Sequence, residues 1–370
     1  MVIGIESHFA EEEGSGNCTY TQNLIRQLAI IDKINDYVLY CTDRDFYFYK
    51  EISELNRKFR VVELKVKNKF LKIPFYLGYR TFEDRIDVIH TQYYTPLISK
   101  AKRVVTIHDI IPIIYPQFFN WFEVLKQKFF LPYFARKADR VITVSSNSKK
   151  DICKYLKVPE DKVVEIYNGV SNEFRLVDQN EKAKIIRKFE IRGPYIYYVG
   201  RLDPRKNLKN VIKAFAQVAS RNQNVDLIIA GNKNEYFVEL LGVVKEFNLG
   251  ERVKFIGLIS NEDNIRLLNF AEFFVYPSIY EGFGLPVLEA MACGCPVITS
   301  KGSSLGEISK GCALLVDPEN VEEIRDAMIT LLKNKFLRAE LVGRGRERVK
   351  EFSWELTARK TLEVYESPGA

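Results

Sequence analysis

The stretch FFVYPSIYEGFGLPVLEAMACGCPVIT, residues 273–299, decides the fold class of this chain. Residues 273–276 form an apolar run of strand length, and residues 296–299 form a second one. Between them lie a loop with two glycines and an apolar segment that starts with Leu285 and Pro286, a pair suited to the first turn of a helix. A strand, a glycine loop, a helix and another strand predict a parallel sheet covered by helices.

The same alternation runs through both halves of the 370-residue chain. Further strands are predicted at residues 2–5, 37–41, 87–90, 103–107, 140–144, 162–166, 195–199, 226–230, 253–257 and 313–316. Amphipathic helices are predicted between them, as at 17–31 and 146–156. One hydrophobic core rarely organises a chain of this length. We therefore predict an α/β protein with two Rossmann-like doubly wound domains, residues 1–170 and 171–352, and a final helix in 353–370 that crosses back to the first domain.

Composition narrows the function classes. The net charge of +7 predicts an anionic partner, but no helix-turn-helix, zinc-finger or RNA-binding signature accompanies it, so we expect no nucleic acid. No apolar run reaches the roughly 20 residues that span a bilayer, and the first residues lack the basic flank and cleavage site of a secretory signal. We expect a cytoplasmic protein.

Ligands of open parallel sheets bind beyond the carboxyl ends of the strands. The strand predicted at 195–199 is followed by Gly200 and Arg201, and Lys206 comes before the next helix. The planar guanidinium of arginine can clamp a diphosphate, and lysine supplies a compact charge nearby. This pattern favours anion binding over the alternative, a solvated basic loop that caps a helix.

The loop after residues 273–276 carries two carboxylates. Glu281 lies in the glycine loop and Glu289 one turn along the following helix, so both could face one bound molecule. Carboxylates accept hydrogen bonds from sugar and ribose hydroxyls. Surface charges would explain neither the glycines nor their placement.

The first half offers weaker signals. Gly16 lies in the run GSGN, which opens the first helix and could bring backbone N–H groups to a phosphate, although a tight turn is the simpler interpretation. His108 ends a predicted strand, where it could act on a ligand or serve the core.

Together these motifs resemble the glycosyltransferases of the GT-B fold, specifically the retaining family 4 that includes many bacterial mannosyl- and glucosyltransferases. The resemblance rests on Glu281 with Glu289, on Gly200 and Arg201 with Lys206, and on the runs at residues 14–24, 142–145 and 167–170. It spans nearly the whole chain. It implies two domains that face each other across a cleft, the first binding the acceptor and the second the nucleotide sugar.

The resemblance also implies roles for individual residues. Arg201 and Lys206 would hold the donor diphosphate, Glu281 would bind hydroxyls of the transferred sugar, and Glu289 would bind the ribose. His108 would touch the sugar near its 6-hydroxyl, so the predicted catalytic residues are His108, Arg201, Lys206 and Glu281. The other predicted donor contacts are Gly16, Gly200, Gly231, Leu258, Ile259, Phe283, Gly284 and Leu285.

The implied chemistry uses neither metal nor cofactor, because fixed cations and helix N-termini can stabilise the leaving diphosphate. Retention would follow from front-face attack. GDP-mannose is the leading donor and a UDP-hexose the alternative. The acceptor would be a saccharide or a polyprenyl-linked saccharide in bacterial cell-surface glycan synthesis.

Two basic, aromatic stretches, residues 56–80 and 118–137, would suit an anionic membrane surface on the inner face of the plasma membrane. The alternative is that their aromatic residues are core. Other functions on the same fold stay open: a sugar-nucleotide epimerase, a disaccharide phosphorylase, or a non-catalytic sugar-nucleotide-binding subunit. A nicotinamide oxidoreductase is disfavoured because neither half has the full glycine fingerprint with its acidic residue.

Overall fold

The structure, a computed structural model, describes residues 1–12, 14–66, 72–220 and 224–368. By its internal contacts the chain divides into two compact units. Unit 1 comprises Met1–Gly169 and Phe352–Ala370, and unit 2 comprises Val170–Glu351.

Within the described residues, unit 1 contains a sheet of seven parallel strands in the order β3-β2-β1-β4-β5-β6-β7. The strands are β1 Val2–Glu6, β2 Asp36–Cys41, β3 Phe59–Glu63, β4 Val88–Gln92, β5 Lys102–Thr106, β6 Arg140–Thr143 and β7 Val163–Glu165. The strand order reverses between β1 and β4. In doubly wound sheets ligands bind at such a reversal, beyond the carboxyl ends of the strands.

Helices cover this sheet. They are α1 Gly16–Ile31, α2 Tyr47–Leu55, α3 Gly78–Glu83, α4 Ile111–Ile114, α5 Trp121–Lys137 and α6 Ser146–Asp151, with shorter turns at His8–Glu11, Lys72–Leu77, Pro116–Phe118, Ile152–Leu156 and Glu160–Lys162. The Ser15 hydroxyl caps α1 by accepting from the Cys18 N–H at 3.0 Å. The buried face of α1 includes Leu24, Ile25 and Leu28, as its apolar spacing predicts.

Unit 2 repeats the architecture with six parallel strands, counted over the same described residues, in the order β10-β9-β8-β11-β12-β13. The strands are β8 Tyr195–Val199, β9 Asp226–Ala230, β10 Val253–Gly257, β11 Phe273–Tyr276, β12 Val297–Ser300 and β13 Leu314–Val316. The helices are α7 Glu181–Lys188, α8 Leu208–Ala219, α9 Tyr236–Glu246, α10 Asn261–Phe270, α11 Leu285–Ala292, α12 Ser303–Ile308, α13 Val321–Lys333 and α14 Lys335–Val349, and a 3-10 turn covers Pro204–Lys206. Again the order reverses, here between β8 and β11.

The last helix, α15 Trp354–Glu366, packs on unit 1. The Thr357 hydroxyl donates to the Tyr167 carbonyl at 2.7 Å, and the Tyr365 hydroxyl lies 2.6 Å from Nδ1 of His90. A β-carbon on Gly169 would lie 2.1 Å from the Trp354 backbone nitrogen, so the two chain segments approach this closely only because residue 169 is glycine.

The predicted fold class is confirmed, and all twelve predicted strands are present. One strand was not predicted: β3 lies in residues 56–80, which were interpreted as a basic surface stretch, and residues 67–71 of that stretch lie outside the described residues. The interpretation of Trp121, Phe122, Phe129 and Phe130 as core is wrong, because all four are more than half exposed. None of the described helices is both long and apolar enough to cross a bilayer.

Candidate active site

The loop after β8 is shaped to turn a lysine inward. The Asp203 carboxylate accepts from the Arg205 N–H at 2.9 Å and so caps the turn Pro204–Lys206. Asn207 adopts the left-handed conformation, with φ of 63°, and its side-chain amide donates to the carbonyls of Pro277 and Pro318 at 3.1 and 2.5 Å. These bonds fix the loop against the segment that follows β11 and leave the Lys206 side chain buried.

Two cations share one buried carboxylate beside this loop. Lys206 Nζ donates to Glu281 Oε1 at 2.5 Å and to the Tyr276 hydroxyl at 2.7 Å, and that hydroxyl donates to the same oxygen at 3.1 Å. Arg205 Nη1 lies 3.2 Å from Glu281 Oε2 and donates to the Tyr280 carbonyl at 2.5 Å. We call Arg205, Lys206, Tyr276 and Glu281 the cationic cluster.

Electrostatics keep the carboxylate of the cationic cluster charged. Burial raises the pKa of Glu281, but Lys206 and Arg205 outweigh burial and hold that pKa at about 2. Burial lowers the pKa of Lys206, and the facing carboxylate opposes this effect. Two carboxylates, Glu281 and Asp203, face the two cations, so the exposed Arg201 of the same loop supplies the net positive charge that can attract an anion at the carboxyl end of β8.

One serine hydroxyl contacts two backbone carbonyls of the glycine loop before α11. The Ser304 hydroxyl lies 2.8 Å from the Glu281 carbonyl and 2.7 Å from the Phe283 carbonyl. Gly284 precedes α11 with φ of 117°, and a β-carbon there would lie 2.5 Å from Leu305 Cδ2. Only glycine fits this position, which sets Leu285 at the positive end of the α11 dipole.

Glu289 lies within α11 with a half-buried side chain. Within the described part of the chain the carboxyl group of Glu289 has no hydrogen bond or ion pair to another side chain or to the backbone. Burial alone raises the pKa of Glu289 to about 7. A carboxyl group in this state is ready to accept hydrogen bonds from a ligand.

Glycine also allows β8 and β9 to end close together. A β-carbon on Gly231 would lie 2.1 Å from the Gly200 carbonyl oxygen. Arg201 follows Gly200 with an exposed guanidinium that has no partner in the described ranges. After β10, Leu258 is 74% exposed and Ile259 is half-buried. The structure thus brings Lys206 to Glu281 and Gly200 to Gly231, whereas the side chains of Arg201 and Glu289 make no hydrogen bond or ion pair with the cationic cluster in the described residues.

In unit 1 a chain of hydrogen bonds fixes the protonation of His108. The Thr21 hydroxyl donates to the Asn17 carbonyl at 2.7 Å, and the Gln92 amide donates to Thr21 Oγ1 at 2.7 Å. Gln92 Oε1 must therefore accept from His108 Nε2, 2.9 Å away. Burial lowers the pKa of His108 to about 4, so the ring is neutral and Nδ1 keeps its lone pair. Gly16 begins α1, exposed, beside Asn17.

Two family models match the chain in succession: Glycosyltransferase Family 4 over residues 16–174, and Glycosyl transferases group 1 over residues 179–348. The chain belongs to the family 4 glycosyltransferases. The resemblance predicted from its motifs, and with it the enzyme class, is confirmed.

This glycosyltransferase is similar to curated relatives and to solved structures. It is 29% identical to O-antigen chain mannosyltransferase B of Escherichia coli, over 71% of this chain and 70% of that protein. It is 27% identical over 92% of its length to the serotype-specific mannosyltransferase WbdA of Escherichia coli, but spans only 44% of that longer protein. HepE of Anabaena, solved with UDP-glucose, matches with a TM-score of 0.79 over 99% of both chains at 18% identity. This likeness supports the GT-B fold.

Sequence reasoning missed three residues around the site of this glycosyltransferase. Arg205 lies in the same loop as Arg201 and Lys206, but the sequence patterns assign it no role, and they place Tyr276 only at the end of a predicted strand. Gln92 had one available signal, a polar residue at the end of a buried strand next to the reversal of strand order. His90, by contrast, bonds to Tyr365 and Thr106 inside unit 1 and is structural.

Proposed function

We propose that this glycosyltransferase moves a hexose from a nucleoside diphosphate sugar to a saccharide or polyprenyl-linked acceptor in bacterial cell-surface glycan synthesis. Mannose from GDP-mannose is the leading donor. The single observation that carries the proposal is the cationic cluster, in which buried Lys206 and half-buried Arg205 hold Glu281 at the carboxyl end of β8. Such a site suits the diphosphate of a sugar nucleotide.

The reaction needs positive charge where the leaving group forms. The bond between the anomeric carbon and the diphosphate oxygen breaks, and its electron pair stays on the phosphate. The cations Lys206 and Arg205, the exposed Arg201 and the N-terminus of α11 would stabilise that charge without a metal. The acceptor hydroxyl attacks the anomeric carbon from the face that the diphosphate leaves and passes its proton to the donor phosphate. Attack from this face retains the anomeric configuration.

Two carboxylates and one neutral imidazole are the proposed acceptors for hydroxyl groups of the donor. Glu289 is assigned to the ribose, since its carboxyl group has no partner of its own among the described residues. Glu281 is assigned to the transferred sugar. His108 offers the lone pair on Nδ1 to a sugar hydroxyl, because Gln92 holds the proton on Nε2.

The choice of mannose rests on the relatives named as mannosyltransferases. A UDP-sugar-dependent glucosyl or N-acetylhexosaminyl transferase is the alternative, supported by the UDP-glucose bound to HepE. A non-catalytic partner subunit is a second alternative. It would bind the same donor but would not turn it over.

Calorimetric titration with GDP-mannose, UDP-glucose and UDP-N-acetylglucosamine in EDTA tests the proposal. We expect GDP-mannose to bind, Lys206→Ala to weaken binding by about 2 kcal/mol and Arg201→Ala to weaken it by about 1 kcal/mol. Lys245→Ala is the matched control, because Lys245 is an exposed lysine of α9 with no ion pair in the described residues. Binding of a UDP-sugar alone would establish the alternative donor. Absence of any binding, or equal losses in the control, would refute the site.

Turnover separates an enzyme from a binding subunit. Release of GDP from GDP-mannose, with saccharide acceptors and in EDTA, is expected to be lost in Lys206→Ala and kept in Lys245→Ala. The coupling between C1 and its proton in the NMR spectrum of the product then tests retention. Donor binding without turnover for every acceptor supplied would favour the partner subunit, and turnover only with added divalent cations would contradict metal independence.

A further inference from the structure

The outward face of α5 is apolar where a helix in contact with water is usually polar. Six large apolar side chains on this helix are exposed: Trp121 75%, Phe122 56%, Leu125 47%, Phe129 71%, Phe130 53% and Tyr133 45%. We call these six residues the aromatic face. An exposed apolar patch of this kind on a folded protein marks a site of association.

The opposite face of α5 already anchors the helix. Leu131 and Ala135 are fully buried in a cluster with Val105, Val141 and Ile152. The Asn120 side chain caps the helix by accepting from the Glu123 N–H at 2.8 Å. The helix is therefore positioned by its inner face and its cap. None of the six side chains of the aromatic face belongs to this buried cluster, so the packing of the core does not explain why they are apolar.

Cations accompany the aromatic face. Lys128, Arg136 and Lys137 are exposed and make no ion pair within the described ranges, and Glu123 is the only acidic residue of the helix. Aromatic residues and arginine are enriched at protein–protein interfaces, but lysine is depleted there, and two of these three cations are lysines. Aromatic rings mixed with lysine and arginine instead match the boundary between the headgroups and acyl chains of an anionic bilayer, where rings insert and cations meet lipid phosphates.

We propose that α5 docks this glycosyltransferase on an anionic lipid bilayer, with the aromatic face inserted among the headgroups and Lys128, Arg136 and Lys137 paired with lipid phosphates. The choice of a bilayer as the partner rests in part on the proposed function, since such a bilayer would carry a polyprenyl-linked acceptor. Docking itself requires no donor. The surface and the donor site therefore fail or succeed separately.

Co-sedimentation with vesicles tests the docking surface. The full chain is mixed with vesicles of phosphatidylcholine, or of phosphatidylcholine and phosphatidylglycerol, at low and high ionic strength. Phe129→Ser with Phe130→Ser removes part of the aromatic face, and Arg136→Glu with Lys137→Glu reverses two of its cations. The matched controls lie in unit 2: Phe336→Ser, at a side chain 90% exposed, and Lys245→Glu with Arg346→Glu, at exposed cations without ion pairs in the described residues.

We expect the wild type to bind the anionic vesicles, with salt weakening the binding, and each α5 variant to lose at least about tenfold in vesicle affinity. Both controls should bind like the wild type, and all variants should keep the wild-type affinity for the donor. No binding of the wild type to anionic vesicles would overturn the proposal, as would equal losses in the controls. A concentration-dependent dimer that the Phe129→Ser, Phe130→Ser variant dissociates, without vesicle binding, would assign the face to a second copy of the chain instead.

Discussion

At the scale of single residues, the carboxyl group of Glu289 lowers the stability of the free protein at neutral and alkaline pH, and it is the proposed partner of the donor ribose. The unfolded chain releases its proton near pH 4.5 and the folded chain near pH 7, so the folded state holds the extra proton between these values. Stability therefore falls as the pH rises through this window. We predict that Glu289→Gln gains about 2 kcal/mol in the free energy of unfolding at pH 8, and much less at pH 5.

The same substitution should weaken the donor complex. At pH 8 a carboxylate accepts a ribose hydroxyl more strongly than an amide does, so we expect Glu289→Gln to lose about tenfold in donor affinity. Urea denaturation at the two pH values and calorimetry with the donor measure both effects. A variant that is no more stable at pH 8, or that binds the donor like the wild type, would contradict this account of Glu289.

Gln92 is expected to position His108 rather than to touch the substrate. Gln92→Glu would place a negative charge next to Nε2, raise the pKa of His108 and favour the imidazolium, whose Nδ1 has no lone pair to offer. We predict that the acidic limb of the pH profile of kcat/KM moves upward by about one pH unit or more. Gln92→Leu should lower kcat/KM without moving that limb. If both variants show the wild-type profile, Gln92 is only a core residue.

The sequence predicted residues of the site but not which of them bond to each other. Lys206 and Glu281 were both predicted to bind the donor, each by a contact of its own. Their direct hydrogen bond joins positions 75 residues apart and depends on the αL turn at Asn207. Residue type and position at a strand end predict the neighbourhood, but hydrogen bonds across the sheet arise from tertiary packing. Tyr276 joins the cationic cluster for the same reason.

At the scale of elements, the start of α11 depends on one glycine. Gly284→Ala would force a side chain into φ of 117° and against Leu305. We predict a loss of about 2 kcal/mol in stability, together with weaker donor binding. Gly242→Ala is the matched control, because Gly242 lies inside α9 with no atom within 4 Å of an added β-carbon, and it should stabilise by about 0.5 kcal/mol. Urea denaturation decides, and losses of equal size would refute the role given to Gly284.

Several of the strands that the sequence predicted have a physical property that β3 lacks. Strands buried on both faces, such as β9 with all five residues buried, read as continuous apolar runs. β3 lies at the edge of its sheet, and Arg60 and Glu63 interrupt its apolar residues. Because β3 is covered on one side only, its residues mix apolar and charged types and resemble those of the basic surface segment around it. The strand is recognised only from its pairing with β2 in the structure.

At the scale of the whole molecule, the chain begins and ends in unit 1, with Val170–Glu351 folded as a separate unit between. The contact that ties α15 to β4 joins residues 275 positions apart. Periodicity predicts that α15 is a helix, but it cannot specify His90 as the partner of Tyr365. The bond forms inside unit 1, where burial lowers the pKa of His90 to about 3 and keeps its ring neutral.

Removing this one hydroxyl should therefore loosen unit 1 and leave unit 2 unchanged. Tyr365→Phe would leave His90 Nδ1 buried without a partner, which we predict costs about 2 kcal/mol of local stability. Hydrogen exchange should become faster at the amides of β4 and β5 and stay constant in β11 and β12. Tyr155→Phe, at a side chain 40% exposed in unit 1, is the control and should change neither sheet. Faster exchange in both units would mean that α15 stabilises the molecule as a whole, whereas unchanged exchange in β4 would mean that its bond to His90 carries no stability.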